Sequence, residues 1–242
     1  MMKHRIALCM MAAAAVVFPL TLCAQTAQQE KQQDEQLFFD EFEFLTGWEE
    51  GNGTWSVEDG MLKQLDTTDR ITHISRMVRQ KGTVFYEFDV YYLDGLEDRD
   101  GGFGIHILID EPTGLRSWGQ NRSLLLWITY DPIIYGTDHF YLQVYESESA
   151  VNMDFLNMTG DEYPVPLSLF SPEDFITSSD PVHIRLEVNT VLGTGILYNP
   201  FETGTFYPID LGAPLWEGKY ISLRTNSMAV GFDNVRVVEK KQ

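Results

Sequence analysis

Trp118 stands among Arg116, Gln120, Asn121 and Arg122 in a polar stretch of a 242-residue chain. An indole presents a flat apolar face to the C–H side of a pyranose ring, while amides and guanidinium groups bond the hydroxyls around it. These five residues are the candidate ligand contacts. Trp127, Tyr130, Tyr135, Phe140, Tyr141 and Tyr145 follow closely, and Trp127 and most of the tyrosines are expected to fill the core. No catalytic set stands out. His73, His106, His139 and His183 are isolated from one another, and neither Gly-x-Ser-x-Gly nor His-Glu-x-x-His occurs. Gly101-Gly102-Phe103-Gly104 follows acidic residues and lacks the Lys-Ser/Thr of a phosphate loop. Asp94, Glu97, Asp98 and Asp100 lack the EF-hand spacing and read as a solvated turn.

Charge narrows the partners further. The chain holds 17 Lys+Arg against 36 Asp+Glu, a formal net charge of −19. Nucleic-acid binding needs a basic surface, so that class is excluded, and docking on an anionic membrane leaflet is disfavoured. Lys3 and Arg5 precede an uncharged apolar run from Ile6 to Leu22, the order of a secretory signal. The reading is a signal peptide over 1–24, cut after Ala24, with the product in the periplasm or outside the cell. An uncleaved anchor and a lipid anchor on Cys23 are the alternatives, although Leu22 is large for lipidation. Both cysteines, Cys9 and Cys23, fall in this segment, so a chain cut after Ala24 has no disulfide and relies on its core. Residues 25–36 (QTAQQEKQQDEQ) have no face to bury and read as a polar, Gln-rich tether.

The elements that must position these residues read as strands. Residues 61–65, 83–93, 104–110, 123–130, 140–145, 182–188, 220–224 and 229–238 show period-2 alternation or continuous apolar runs, rich in β-branched and aromatic residues. Val84, Tyr86, Phe88 and Val90 fall on one face of their run, and Ile105, Ile107 and Ile109 on one face of theirs. Asp-Gly, Asn-Pro and Pro-Thr-Gly turns separate the runs. The one turn of helix expected has Ser171 as N-cap and Pro172 at its first position. About a dozen short strands in one domain over 37–242 predict an all-β, two-sheet antiparallel jelly-roll sandwich.

The two ends of that domain carry a resemblance. Phe38-Phe39-Asp40-Glu41-Phe42, Trp48 and Gly53-Thr54-Trp55-Ser56-Val57-Glu58-Asp59-Gly60-Met61-Leu62 open it. Gly218-Lys219-Tyr220-Ile221-Ser222-Leu223 and Val230-Gly231-Phe232-Asp233-Asn234-Val235-Arg236-Val237 close it. Together they resemble the concanavalin A-like, or laminin-G-like, jelly-roll superfamily over roughly its first 30 and last 25 residues, while the middle fits only as a strand pattern. The resemblance implies that first and last strands meet, with a structural Ca²⁺ held by Glu41 and Asp233 and a backbone carbonyl near Gly51 to Gly53. The superfamily's β-glucan hydrolases carry Glu-x-Asp-x-x-Glu on one strand. Glu87-Phe88-Asp89 begins that pattern, but Tyr92 stands where the second Glu is required. Glu87 and Asp89 also alternate with the apolar face and so point outward.

These readings converge on an exported, non-enzymatic jelly-roll module that binds glycan, lectin-like, or protein. The alternative is a structural subunit of an extracytoplasmic assembly. The sheath proteins of periplasmic flagellar filaments in spirochaetes are similar in size, export signal and β-rich character. A glycoside hydrolase of the same fold is the lesser alternative. For an assembly, the long segment 146–166 offers apolar residues without alternation, and Phe155 and Leu156 are the expected interface.

Overall fold

A computed structural model describes residues 33–68, 70–95, 101–156, 167–212 and 214–241. The expected signal and most of the expected tether, Glu97, Asp98 and Asp100, and residues 157–166 of the expected interface segment lie outside the described residues. In chain order the strands are β1 (Glu35–Asp40), β2 (Trp48–Asn52), β3 (Trp55–Glu58), β4 (Met61–Gln64), β5 (Thr72–Gln80), β6 (Thr83–Asp94), β7 (Gly101–Ile109) and β8 (Ser123–Tyr130). There follow β9 (Tyr141–Ser147), β10 (Met153–Phe155), β11 (Leu167–Ser168), the helix α1 (Pro172–Thr177), β12 (Val182–Asn189), β13 (Thr194–Tyr198), β14 (Phe206–Asp210), β15 (Gly218–Asn226) and β16 (Ala229–Lys240).

The strands form two antiparallel sheets that pack face to face as a jelly-roll sandwich. The first runs β14-β13-β12-β6-β16-β4-β3, with β1 also on β16; the second runs β10-β9-β8-β7-β15-β5-β2, with β11 also on β9. The apolar face of β6 (Val84, Tyr86, Phe88, Val90) packs across the core with Ile105, Ile107, Leu124, Leu126 and Ile128 of the second sheet. Glu87 and Asp89 lie on the opposite face of β6, as alternation requires. Ser171 caps α1 by accepting a hydrogen bond from the Asp174 amide, with Pro172 in the first turn.

First and last strands do meet. Glu35 and Gln36, read as tether, already pair with Glu239 and Val238, so the sheet begins ahead of Leu37. β16 pairs with β4 through its first half and with β1 through its second. An extra residue between Asp233 and Arg236 makes a bulge opposite β6, with Asn234 at φ +51. The bulge shifts the inward set from Val230 and Phe232 to Val235 and Val237, so both halves of the strand face the core.

Two local expectations are corrected. The alternation of Ile105, Ile107 and Ile109 breaks at Leu108, which has φ +54 and belongs to the core in place of Ile109. The register gains a residue there against β15. The bulged backbone is satisfied: Leu108 N donates to Gln80 Oε1 at 2.9 Å, and its carbonyl accepts from Trp216 Nε1 at 2.6 Å. In addition, Met153 to Phe155 is a short edge strand on β9 where sequence reasoning saw only loop. Its three residues are too few for alternation to be recognised.

Candidate functional site

The outer face of the second sheet does not behave like a solvent face. Leu124, Leu126, Ile128 and Tyr130 of β8 enter the core, so Leu125, Trp127 and Thr129 must point the other way. All eight residues of β8 are nevertheless buried. Trp127, only 2% exposed, is thus not a core residue as expected; its burial comes from what covers the outer face. The indole lies across β7, where Gly102 and Gly104 leave room for it. A Cβ on Gly104 would sit 3.0 Å from the Trp127 ring and 2.2 Å from the Leu126 carbonyl oxygen, and one on Gly102 would be equally crowded.

The cover is a strap, residues 111–122, held down from below by side chains of the sheet. Arg224 of β15, fully buried, donates from its guanidinium to the carbonyls of Ser117 (2.6 Å) and Trp118, and to His106 Nε2 at 2.7 Å. His106 Nδ1 lies 3.1 Å from Ser123 Oγ, and His73 Nε2 lies 2.9 Å from the Thr113 carbonyl. Burial lowers the Arg224 guanidinium to about 9. Burial, with the neighbouring Arg224 charge, holds His106 well below the usual imidazole range and lowers His73 as well. The strap therefore rests on one cation and two neutral imidazoles, and its anchors are main-chain carbonyls rather than carboxylates.

Arg224 also fixes the side chain it sits beneath. Its guanidinium lies 4.9 Å from the Trp118 ring centroid, and Trp118 meets Trp127 edge-on at 5.4 Å and 81°. The two indoles form one corner of a cleft of about 420 Å³. Its floor is Trp127, Thr129, Gln143 and Tyr145 from β8 and β9. Asp131, Ile134 and Tyr135 come from the turn after β8, and Val151 and Met153 from the chain entering β10. Gln143 is fixed at both ends, donating to Tyr135 Oη at 3.0 Å and accepting from Tyr145 Oη at 3.1 Å. Asp131 Oδ1 accepts the amides of Ile133 and Ile134, both at 3.0 Å, which closes the turn. Its Oδ2 has no hydrogen-bond partner among the described residues, and the residue is 1% exposed.

Of the five candidate ligand contacts, only Trp118 lines this cleft. Arg116 donates from Nε to the Arg70 carbonyl, and Gln120 is buried with Oε1 accepting the Thr113 amide. Asn121, at φ +51, donates to the Glu111 carbonyl, and Arg122 stacks on Trp216 at 4.1 Å. The structure uses these four to build and seat the strap. Gln143, Tyr145, Thr129 and Asp131 escaped notice as cleft residues. The signal was present in the inward set Leu142 and Val144, which turns Gln143 and Tyr145 outward beside Trp127. Of the expected interface pair, Phe155 stacks on Tyr145 at 5.1 Å, and Leu156 packs against the core with its amide on the Val144 carbonyl.

The expected carboxylates lie on the other sheet. Asp89 Oδ1 is 2.7 Å from His183 Nδ1, and its Oδ2 accepts from Asn234 at 2.8 Å. Glu87 is bridged by Arg185 and Arg236. Burial raises the Asp89 carboxyl, but the bonds from His183 and Asn234 outweigh it and hold the group below its usual range. Burial and the like charges of Asp89, Glu41 and Asp40 raise Asp233. Of the residues the resemblance assigns to Ca²⁺, Glu41 is exposed and Asp233 Oδ1 already accepts the Asn234 amide. The Asn52 carbonyl accepts from Trp55 Nε1, and Asp40 is engaged by the Phe42 amide and Trp48 Nε1. Among the described residues no group of three or more His, Cys, Asp or Glu is placed to hold a metal.

No family model and no curated relative matches the sequence. Solved structures do. The carbohydrate-binding module CBM66 of Bacillus subtilis superposes with a TM-score of 0.54 at 15% identity, over 81% of this chain and 96% of that one. The carbohydrate recognition domain of Emp47p gives 0.55 at 12%, over 86% and 97%. The lectin of Bauhinia forficata in complex with GalNAc gives 0.53 at 11%, over 86% and 99%. The chain thus shares the jelly-roll fold of these domains, consistent with the resemblance of its ends, and a shared fold leaves the function to the site.

Proposed function

We propose that this chain is an exported glycan-binding module whose sugar sits in the cleft between Trp118 and Tyr145. The observation that carries the reading is the composition of that cleft. Indole and phenol rings stand beside an amide, a hydroxyl and a carboxylate within about 420 Å³. Pyranose recognition needs apolar C–H surface stacked on rings and hydroxyls bonded at the edge, and both kinds of group line this cleft. The fold's carbohydrate-binding neighbours support the same reading. Binding is favoured over cleavage because, among the described residues, Asp131 is the one carboxylate in the lining, whereas glycoside hydrolysis commonly uses a pair. The apolar run at the N-terminus supports export, and no helix among the described residues is long and apolar enough to cross a membrane.

The test is a glycan array followed by calorimetry on the purified protein, with and without a chelator. Binding should be lost on Trp118→Ala while the unfolding transition survives. Chelation should leave binding intact, because the Glu41 and Asp233 pair lies on the other sheet. A blank array on a folded protein removes the glycan reading and moves the weight to a protein partner or an assembly role. Retained binding in Trp118→Ala removes the cleft as the site.

A further inference from the structure

Asp131 is unusual in a cleft otherwise made of rings, an amide and a hydroxyl. One of its oxygens is spent on the turn amides of Ile133 and Ile134, and the other has no partner. The side chain is almost wholly buried. A buried carboxylate with an open acceptor is costly, and the cost is recovered best by a donor that carries positive charge. Among the described residues no Lys or Arg lines the cleft. Arg224, the buried cation behind Trp118, is committed to the Ser117 and Trp118 carbonyls and to His106.

Two further features point the same way. Trp118, Trp127 and Tyr145 line the cleft, and aromatic rings attract a cation, most strongly when it is desolvated. The chain as a whole carries −19, so its field draws cations and repels anions. A uronate or sulfated sugar would bring a second negative charge to Asp131 with nothing to balance it.

Resting on the glycan reading above, we infer that the preferred ligand is a sugar bearing a free, protonated amine, with the ammonium on Asp131 and the ring on the indoles. Acetylating that amine removes both its charge and two of its donors. A charge-assisted hydrogen bond exceeds a neutral one by enough for a preference on the order of tenfold, which is about 1.4 kcal/mol.

The experiment is calorimetric titration of the purified protein at about pH 6.5, below the α-amino range toward which neighbouring oxygens lower a sugar amine. The probes are the β1→4 dimer of glucosamine, its N-acetylated counterpart, cellobiose and glucuronate. The glucosamine dimer should bind about tenfold tighter than its acetylated counterpart and cellobiose, glucuronate should bind weakest, and added salt should erode the preference. Asp131→Asn should abolish the preference for the glucosamine dimer over its acetylated counterpart. Because that variant also touches the turn, the comparison among sugars and the salt series on the unaltered protein stand as the independent measurement. Equal or tighter binding of the acetylated dimer or cellobiose overturns the amine inference and leaves the glycan reading standing. No binding of any sugar to folded protein overturns both. Tetramethylammonium displacing the dimer at equal affinity overturns the sugar part of the inference, since the cation alone would then account for binding.

Discussion

Acidification should unfold this protein through the cluster beneath the strap. His106 faces Arg224 at 2.7 Å through Nε2 and Ser123 through Nδ1, with His73 close by, and no carboxylate makes a hydrogen bond within the group. Its Nε2 accepts the Arg224 bond only while that nitrogen is unprotonated. In the fold the ring is therefore neutral far below 6.5, whereas in the unfolded chain it protonates near 6.5. Below that value the unfolded state holds a proton the native state refuses, and stability falls as pH drops. Each pH unit costs about 1.4 kcal/mol for as long as the folded ring stays neutral. His106 therefore destabilises the fold progressively as pH drops below about 6.5, and His73 adds in the same direction.

His183 does not cancel this. Asp89 raises its pKa, so its contribution is fully present below 6.5 and is lost only as pH rises through the folded value. The lowered carboxyls of Asp59 and Asp89 lose their contributions around and below 3.8, under the same window. The assay is urea unfolding from about pH 7 to about pH 5 on the wild type and on His106→Gln, whose amide oxygen replaces Nε2 as an acceptor that does not titrate. The variant should lose one ring's share of the slope. A wild-type stability that stays flat across this range, or a variant with an unchanged slope, refutes the reasoning.

Arg224→Met should strand the Ser117 and Trp118 carbonyls and His106 Nε2, costing about 2–4 kcal/mol in denaturant unfolding. The same variant should weaken sugar binding, because the strap that holds Trp118 loses its anchor. Gly104→Ala places a methyl against the Leu126 carbonyl and the Trp127 ring and should cost about 1–3 kcal/mol, with a lower Tm and altered tryptophan emission. Asp40→Ala removes the acceptor of both the Phe42 amide and Trp48 Nε1 and should lower stability by about 1–3 kcal/mol, read by thermal unfolding.

The sandwich was legible in the chain because alternation is a local property. β6 and β12 each display their inward set in a single run, and the Ser171-Pro172 start of α1 is a local signal too. The resemblance of the two chain ends supplied the meeting of first and last strands, which β1 and β16 make. What alternation could not show was its own interruptions. The bulges at Leu108 and Asn234 depend on partners from distant strands: Gln80 and Trp216 for the one, the register on β6 for the other.

The site divides along the same line. Sequence alone determined that Trp118 sits among polar neighbours, that Glu87 and Asp89 alternate away from the core, and that the chain is too acidic for nucleic acid. Which groups Trp118 would share a cleft with was decided only by tertiary structure. Arg224 lies 106 residues from Trp118 in sequence, yet its guanidinium seats the strap on the sheet. Trp127 reads as core because its strand is apolar on both faces, and only the covering loops turn its outer face into the floor of a cleft. Arg116, Gln120, Asn121 and Arg122 look like ligand contacts because polar loop residues in sequence carry no record of where their hydrogen bonds go. A strap laid over a sheet must first satisfy its own backbone, and Gln120 and Asn121 are spent doing so, while Arg116 reaches the Arg70 carbonyl and Arg122 stacks on Trp216.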